Sequence, residues 1–246
     1  MNKFDCKIIF FFFLLTLIIS CDGKENKKIN YEFEEIHSKK KNHMLHNKSN
    51  IPKVLNIKIE NNKIYNIKNV LLEANEMTLK EVYYCFEKDS CTKIRVEFNN
   101  TIIRFNYSND SVFFANTKEK YVDDEQFLIG KYIYEGTNII YLFFMSNEDL
   151  SDELFTISID TSGKILSLKK LFNKGGDGMI RFYPVYISSD KNKITIFEIT
   201  EEYTSENMDT FITTTVKKEI ILNKKGEIKI AKKLINKTLK KDDSGM

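Results

Sequence analysis

The segment Phe155–Leu168, FTISIDTSGKILSL, shows the pattern that decides the fold. Apolar residues occupy every second position from Phe155 to Ile159, a polar corner follows at Thr161–Gly163, and the alternation resumes at Ile165. An alternation with a period of two places apolar side chains on one face of a strand, and a small polar corner with glycine favours a tight turn. The segment therefore predicts a β-hairpin.

The same alternation recurs from Val54 onward. Asn, Asp and Gly again stand at the corners, which is the sequence signal of consecutive hairpins. The further segments are VLNIKIENNKIYNI (54–67), IRVEFNNTIIRFNYSNDSVFF (94–114), KYIYEGTNIIYLFF (131–144), YPVYISSDKNKITIFEI (183–199) and FITTTVKKEIILNKKGEIKIAKKL (211–234). Together they predict a mainly β domain, an antiparallel meander of hairpins arranged as a sandwich or in a propeller-like way, with at most one or two short helices.

Two of these hairpins resemble each other. ISIDTSGKILSLKKL at 157–171 aligns with IILNKKGEIKIAKKL at 220–234 at an offset of 63 residues, which places Gly163 on Gly226. Such hairpins resemble those of β-propeller blades in secreted bacterial proteins. The offset is long for one blade, since blades usually span about 40 to 50 residues. The recurrence is either a repeat or the shared requirement of two tight turns.

Some stretches depart from the alternation. Met77–Phe86 contains Thr78 followed three residues later by Glu81, which is the order of a capping box, and it predicts a short helix. Residues 123–130 predict an acidic connector. Residues 237–246 have lost the apolar period and predict a disordered tail.

Residues 1–20 have the order of a secretory leader. Lys3 and Lys7 precede the uncharged run Ile8–Ile19, which gives a basic start followed by an apolar middle. A dozen residues at 1.5 Å rise cover about 18 Å, well short of the ~30 Å hydrocarbon core of a bilayer. A cleaved signal peptide is therefore predicted rather than a spanning helix.

The leader is followed by a cysteine in the sequence Ile18-Ile19-Ser20-Cys21, which resembles the lipobox of bacterial lipoproteins. Ile18 stands where that family usually has Leu, Ser20 fits its small-residue position, and the resemblance covers the leader alone. It implies that signal peptidase II cuts before Cys21 and that acyl chains on Cys21 hold the protein on a membrane of the bacterial cell envelope, at the periplasmic face or the cell surface. An ordinary secreted protein and an uncleaved anchor are the alternatives.

Residues 21–52 are polar, rich in lysine and without a period, and they predict a lipid-anchored tether with a reach of about 30 Å. A single β-rich domain is then expected over residues 53–236. His37, His43 and His46 all lie in the tether, so the domain holds no histidine. This excludes a Ser-His-Asp triad, a Cys-His pair and a His-ligated zinc site within it.

The four cysteines have different expected fates. Cys6 leaves with the leader and Cys21 carries lipid, so Cys85 and Cys91 remain as a pair in an exported protein. The residues between them suit a turn, and positions that face each other across a hairpin lie within disulfide range. A disulfide is expected, with two buried thiols as the alternative.

Charge and motifs exclude further function classes. The 38 basic and 35 acidic residues give a net charge of +3, which is too small to indicate nucleic-acid binding. The glycine-rich segment Asn173–Gly178 fits neither the phosphate-binding nor the dinucleotide fingerprint, and Asp177 is its one acidic residue, so a hairpin corner is expected there. No cofactor and no metal site are predicted.

Acidic clusters and arginines are the remaining candidates for chemistry. Paired acids can hydrolyse a glycosidic bond across a cleft, although acids in turns are commonly just solvated. Arginines can grip an anion with two hydrogen bonds, although isolated ion pairs are their commoner role. The clusters are Asp123–Glu125, Glu148–Asp149 and Glu201–Glu202, and the arginines are Arg95, Arg104 and Arg181.

Phe113–Phe114 and Phe143–Phe144 place aromatic side chains on both faces of their strands. Such strands are either covered on both sides or offer an apolar docking patch, and the core is the favoured interpretation.

These patterns predict a cell-envelope lipoprotein whose β domain is a non-catalytic binding or structural module, held on a membrane by its lipid. One alternative is an immunity-type or assembly-factor protein that binds a partner protein. The other is a carboxylate-dependent hydrolase.

Overall fold

A computed structural model describes residues 54–99, 101–106, 111–116, 125–147, 151–176, 179–204 and 210–241. All of them belong to one compact unit, Asn50–Met246. In the segment 101–106 the only side chain described is that of Ile103. The predicted leader and tether, with Cys21 and the three histidines, lie outside the described residues, as do Asp123, Asp124, Glu148 and Asp149.

The described chain contains fourteen strands and two short helices. The strands are β1 (Val54–Ile57), β2 (Ile59–Glu60), β3 (Lys63–Ile64), β4 (Ile94–Phe98), β5 (Thr101–Asn106), β6 (Ser111–Asn116), β7 (Glu125–Ile133), β8 (Ile139–Asn147), β9 (Ser151–Asp160), β10 (Ile165–Gly176), β11 (Ile180–Asp190), β12 (Lys193–Tyr203), β13 (Thr210–Leu222) and β14 (Ile228–Lys241). The helices are α1 (Ile67–Glu73) and α2 (Leu79–Glu87).

Ten of these strands form one sheet, in the order β1-β4-β7-β8-β9-β10-β11-β12-β13-β14. From β7 onward each strand pairs with the next one in the sequence, and β1 with β4 is the single parallel pairing of this sheet. The prediction of a mainly β, antiparallel meander is confirmed. Because the ten strands are continuous, they are not divided into the separate blades of a propeller.

The sheet folds back on itself around a first apolar core. Phe143 on β8, Ile196 on β12 and Leu222 on β13 are fully buried in one cluster. The hydroxyl of Tyr141 on β8 donates a hydrogen bond to the carbonyl oxygen of Asn223, in the corner between β13 and β14. One end of β12–β14 therefore lies over the central strands as a second layer, which gives a sandwich-like packing within a single sheet.

Helix α2 packs against this first core. Its first turn is closed by the predicted capping box, in which the Thr78 side chain accepts from the Glu81 N–H at 3.3 Å and the Glu81 carboxylate accepts from the Thr78 N–H at 2.7 Å. The buried face is made of Leu79, Val82, Tyr83 and Phe86. The Tyr83 hydroxyl donates to the carbonyl of Pro184 on β11 at 2.7 Å. The predicted helix is confirmed, and it joins the early part of the domain to β11.

A second core covers the opposite face of the central strands. Phe143 lies in the first core and its neighbour Phe144 in the second, and both have an exposed fraction of 0%. The elements that cover this face contribute Ile57 of β1, Ile67 and Val70 of α1, and Ile103 of β5. The predicted two-sided covering is confirmed for Phe143–Phe144, whereas Phe113 on β6 is 45% exposed.

Two predictions about neighbouring segments are wrong. Segments 94–98 and 101–106 do not form a hairpin, because β4 is paired with β1 on one side and with β7 on the other and offers β5 no free edge. Strand β5 pairs with β6 in a separate two-stranded sheet. The acidic connector expected at 123–130 is strand from Glu125 onward, since fully buried Leu128 draws this segment into the second core.

The predicted tail is also partly wrong. Strand β14 continues to Lys241, because β13 begins at Thr210 and pairs with β14 over its whole length, up to Thr210 opposite Lys241. Residues 242–246 lie outside the described residues. Helix α1 was not expected, although Ile67 and Val70 have helical spacing and share its buried face.

The two similar hairpins share one corner geometry. In each, the side-chain oxygen of the first corner residue, Asp160 or Asn223, accepts from the backbone N–H groups two and four residues later, at 2.8 and 3.1 Å. Glycine closes both corners with a positive φ, 84° at Gly163 and 82° at Gly226. The local likeness in sequence therefore corresponds to a likeness in turn structure.

Candidate functional site

The outer ends of the last four strands extend past the first core. These strands contribute to that core through Ile194, Ile196, Ile220, Leu222 and Ile228. Farther along, none of the described apolar side chains in residues 180–183, 199–203, 210–217 and 231–241 is buried. These four paired segments are called the distal sheet below.

Strand β14 forms the edge of the distal sheet, and its outer side pairs with no strand of the described chain. It is 14 residues long and contains no acidic residue. Its six lysines are Lys229, Lys232, Lys233, Lys237, Lys240 and Lys241. Leu234, Ile235 and Leu239 expose 59%, 48% and 68% of their surface. Because an edge strand presents unpaired N–H and C=O groups, this edge combines backbone groups, positive charge and apolar surface.

A bulge at Ile235 sets the faces of this edge strand. Leu234 pairs with Val216 and Asn236 with Thr215, so Ile235 is the extra residue on β14. The register then places Lys232, Leu234, Lys237, Leu239 and Lys241 on the face that continues the first core, and Lys229, Lys233 and Lys240 on the other face. Both faces of the edge therefore carry lysines.

A largely buried ion pair lies where the first core meets the distal sheet. Lys218 on β13 is 3% exposed, and its Nζ donates to a carboxylate oxygen of Glu198 on β12 at 2.9 Å. Burial lowers the pKa of Lys218, as do the nearby charges of Lys232 and Lys170, while Glu198 acts in the opposite direction. Since such a pair is costly to leave half-made, it fixes β12 against β13 at the base of the distal sheet.

A second buried ion pair joins β9 and β10. The Lys170 Nζ donates to a carboxylate oxygen of Glu153 at 2.8 Å, and the two side chains are 9% and 0% exposed. Each of the two pairs thus sets a carboxylate against a lysine, whereas a two-acid hydrolase needs its carboxyl groups set across a cleft from each other. Neither pair resembles such a site.

Arg95 and Arg181, the two arginines with described side chains, lie on distant strands. Arg95 on β4 forms an ion pair with Glu125 at 3.3 Å, and the guanidinium of Arg181 on β11 lies 5.9 Å from the ring centre of Tyr203. Strands β4 and β11 are separated by four other strands in the sheet. The side chain of Arg104 is not among those described. Arg95 and Arg104 are the arginines predicted to lie on adjoining strands, but β4 pairs with β7 and β5 pairs with β6. An anion grip that includes Arg104 stays a prediction.

Cys85 and Cys91 are joined by a disulfide, with their Cα atoms 4.6 Å apart. Cys85 lies in α2, so the bond ties the helix to the loop that follows it, and not two strands of a hairpin as expected. Asp89 in this loop forms an ion pair with Lys174 of β10 at 2.7 Å. The loop is thus held both to the helix and to the sheet.

The other predicted candidates gain no site chemistry. Residues 173–176 are the end of β10, while Asp177 and Gly178 lie outside the described residues. Glu201 and Glu202 are successive residues of β12, so their side chains point to opposite faces. In the part of the chain that the structure describes, no group of three or more His, Cys, Asp or Glu side chains is placed to hold a metal ion.

No helix within the described ranges is long and apolar enough to cross a membrane. Comparison with protein-family models found no match, and neither did comparison with curated proteins or with solved structures. The function is therefore inferred from the surface of this chain.

Proposed function

We propose that this protein is a non-catalytic module of the bacterial cell envelope, tethered to a membrane by lipid on Cys21, that binds a partner protein through its distal sheet. The observation that carries the proposal is the edge strand β14, whose outer side pairs with no strand among the described residues, with its six lysines and its exposed Leu234, Ile235 and Leu239. Exposed apolar residues grouped on a sheet edge are typical of surfaces that bind other proteins.

The base of the distal sheet supports this role. The Lys218–Glu198 pair and the first core hold the inner ends of β12–β14 in place. A surface that is held rigidly before binding loses less conformational entropy when it binds. The distal sheet is therefore suited to present β14 to a partner, and of the sequence-based alternatives this favours the protein that binds a partner protein over the hydrolase.

The membrane tether rests on the lipobox-like sequence and on the polar segment 21–52. Changing Cys21 to Ala should release the protein into the soluble fraction or leave it uncleaved. Cell fractionation and the intact mass of the mature chain measure this. A variant that stays on the membrane and is cut at the same position would contradict lipidation at Cys21.

Binding of a partner is tested by photo-crosslinking in the native cells. A photo-reactive amino acid replaces Leu239, which is 68% exposed on β14, and a matched control replaces Leu72, which is 82% exposed on α1. A protein adduct is expected at Leu239 and not at Leu72. Absence of any adduct at Leu239 and Leu234, or the same adducts at Leu72, would overturn the proposed binding surface.

A further inference from the structure

We infer that the partner contributes an acidic, extended segment that pairs with the free side of β14 as an additional strand of the sheet. This inference rests on the proposed function and specifies how the partner is held. Its basis is the coincidence of a free backbone edge, lysines on both faces and exposed apolar residues within one strand.

The length of the free edge is the first step. At ~3.3 Å per residue, the 14 residues of β14 offer roughly 45 Å of strand. The opposite edge of the sheet, β1, has 4 residues and is contacted by α1. An incoming strand therefore has one long edge of this sheet on which to pair.

The charge of the edge selects the occupant. Residues 228–241 contain six lysines and no acid. Side chains directly opposite on neighbouring strands interact, so opposite charges stabilise the pairing and like charges weaken it. Because β14 carries lysines on both faces, an added strand with acidic residues matches it on both.

A second copy of this chain fits this edge poorly. Two β14 strands placed side by side would bring twelve lysines together, six from each strand, and β14 itself contains no acidic residue. A partner of the opposite charge avoids this repulsion. The same lysines that attract an acidic strand therefore oppose self-pairing.

Lysines and a bulge are also ways in which natural sheets prevent unwanted pairing at an edge. A purely protected edge has no need of large apolar side chains, yet Leu234, Ile235 and Leu239 are about half exposed or more. Their exposure favours association. The combination points to an edge that rejects most strands and accepts an acidic one.

The test uses the full chain and a synthetic peptide of about ten residues in which glutamate alternates with valine, enough to follow ~33 Å of the edge. One control peptide has lysine in place of glutamate. A second keeps the glutamates but carries N-methyl groups on alternate backbone nitrogens, which removes hydrogen-bond donors without changing the charge. We expect the first peptide to bind and the lysine peptide not to bind. The affinity of the N-methylated peptide should be lower than that of the first peptide by about tenfold or more.

The protein variants locate the binding. The variant K233E/K237E/K240E reverses exposed charges on β14 and should weaken peptide binding about tenfold or more. The matched variant K68E/K80E/K88E reverses three exposed lysines in or next to the helices α1 and α2, and it should bind as the unchanged protein does. Urea unfolding of both variants checks that each one folds.

Each contrary outcome has a distinct meaning. Equal binding of the N-methylated peptide would overturn strand pairing even where crosslinking at Leu239 has identified a partner. Peptide binding without any crosslinked partner would instead overturn the proposed function. Lysine-dependent binding to phosphatidylglycerol vesicles without peptide binding would assign the edge to a membrane surface, and self-association lost in K233E/K237E/K240E would assign it to a second copy.

Discussion

The two halves of the large sheet use matching features in different surroundings. Strands β7–β10 lie between two apolar cores, whereas β11–β14 join the first core near their inner ends and then extend past it. Each half has one buried ion pair, Glu153–Lys170 or Lys218–Glu198, and one of the two corners with the shared geometry, closed by Gly163 or Gly226. Because the features match, differences in their effect on stability come from what surrounds them.

The ion pairs give the largest expected contrast. Changing Glu153 to Gln removes the carboxylate from its buried ion pair with Lys170 and should lower the free energy of unfolding by about 3 to 5 kcal/mol. Changing Glu198 to Gln should cost less, about 1 to 2 kcal/mol. The reason is that the Glu198 side chain is 18% exposed whereas that of Glu153 is 0% exposed, so that water can partly replace the carboxylate lost from Glu198. Urea unfolding at pH 7 measures both losses.

The double variant E153L/K170M is the control for this contrast. Replacing both charges with apolar side chains of similar size removes the buried charge altogether and should recover most of the loss. Equal losses for E153Q and E198Q would show that the surroundings of the two pairs do not differ in effect.

The two corner glycines give the next contrast. A Cβ at Gly163 would overlap the carbonyl oxygen of Ile64, a backbone atom, whereas a Cβ at Gly226 would meet Cδ1 of Leu166 at 2.5 Å. Leu166 is 39% exposed and can turn away. Gly163→Ala should therefore destabilise by about 3 kcal/mol and Gly226→Ala by about 1 to 2 kcal/mol.

Gly136 supplies the reference for backbone strain alone. Its φ is 70° and a Cβ there would meet nothing within 4 Å, so Gly136→Ala should cost about 1 kcal/mol. All three variants are compared by urea unfolding with a common slope. If Gly163→Ala lowers the free energy of unfolding by no more than Gly136→Ala does, the backbone near Ile64 can move to make room for the added Cβ without a measurable loss of stability.

The same two corners show how far the sequence alone leads. Asp160 and Asn223 each stand three residues before a glycine, and local alternation on either side suffices to predict both hairpins. Thr78 and Glu81 likewise predict α2 because a capping box is local. In physical terms, the correct predictions concern segments whose hydrogen bonds are made within a few residues.

The wrong predictions concern segments that pair with strands far away in the sequence. Asn99 has the sequence of a hairpin turn, but both edges of β4 are already paired, one with β1 and the other with β7. No local sequence pattern indicates this pairing. The lysines of residues 228–241 are plain in the sequence, yet their position on a free edge depends on β13 offering a partner from Thr210 onward. The sequence predicts the correct disulfide partners, Cys85 and Cys91, but it places them on two strands of a hairpin. In the structure Cys85 lies in α2 and Cys91 in the loop after it.

Two tyrosines give an effect that depends on pH, and both join segments that are far apart in the sequence. The Tyr83 hydroxyl of α2 donates to the carbonyl of Pro184, and that of Tyr141 on β8 donates to the carbonyl of Asn223. Burial raises the pKa of Tyr83 to about 12 and also raises the pKa of Tyr141. In the unfolded chain both hydroxyls ionise near pH 10.

Between pH 10 and about 12 the folded chain therefore keeps a Tyr83 proton that the unfolded chain has lost. The free energy of unfolding should fall through this window by about 1.4 kcal/mol per pH unit for each such tyrosine, with the contribution fully present below pH 10. Lys218 acts in the opposite direction, because its pKa is lowered on folding, and its effect ends near pH 10.5. Urea unfolding between pH 10.5 and 11.5 is thus the cleanest measurement.

Changing Tyr83 to Phe should remove one tyrosine's share of this slope while costing about 1 kcal/mol at pH 7, from the lost hydrogen bond to Pro184. Tyr65→Phe, which removes a hydroxyl from a side chain that is 50% exposed on the loop before α1, is measured beside it as the matched control. Parallel stability curves for Tyr83→Phe and the unchanged protein above pH 10.5 would mean that the α2–β11 contact opens before the hydroxyl ionises.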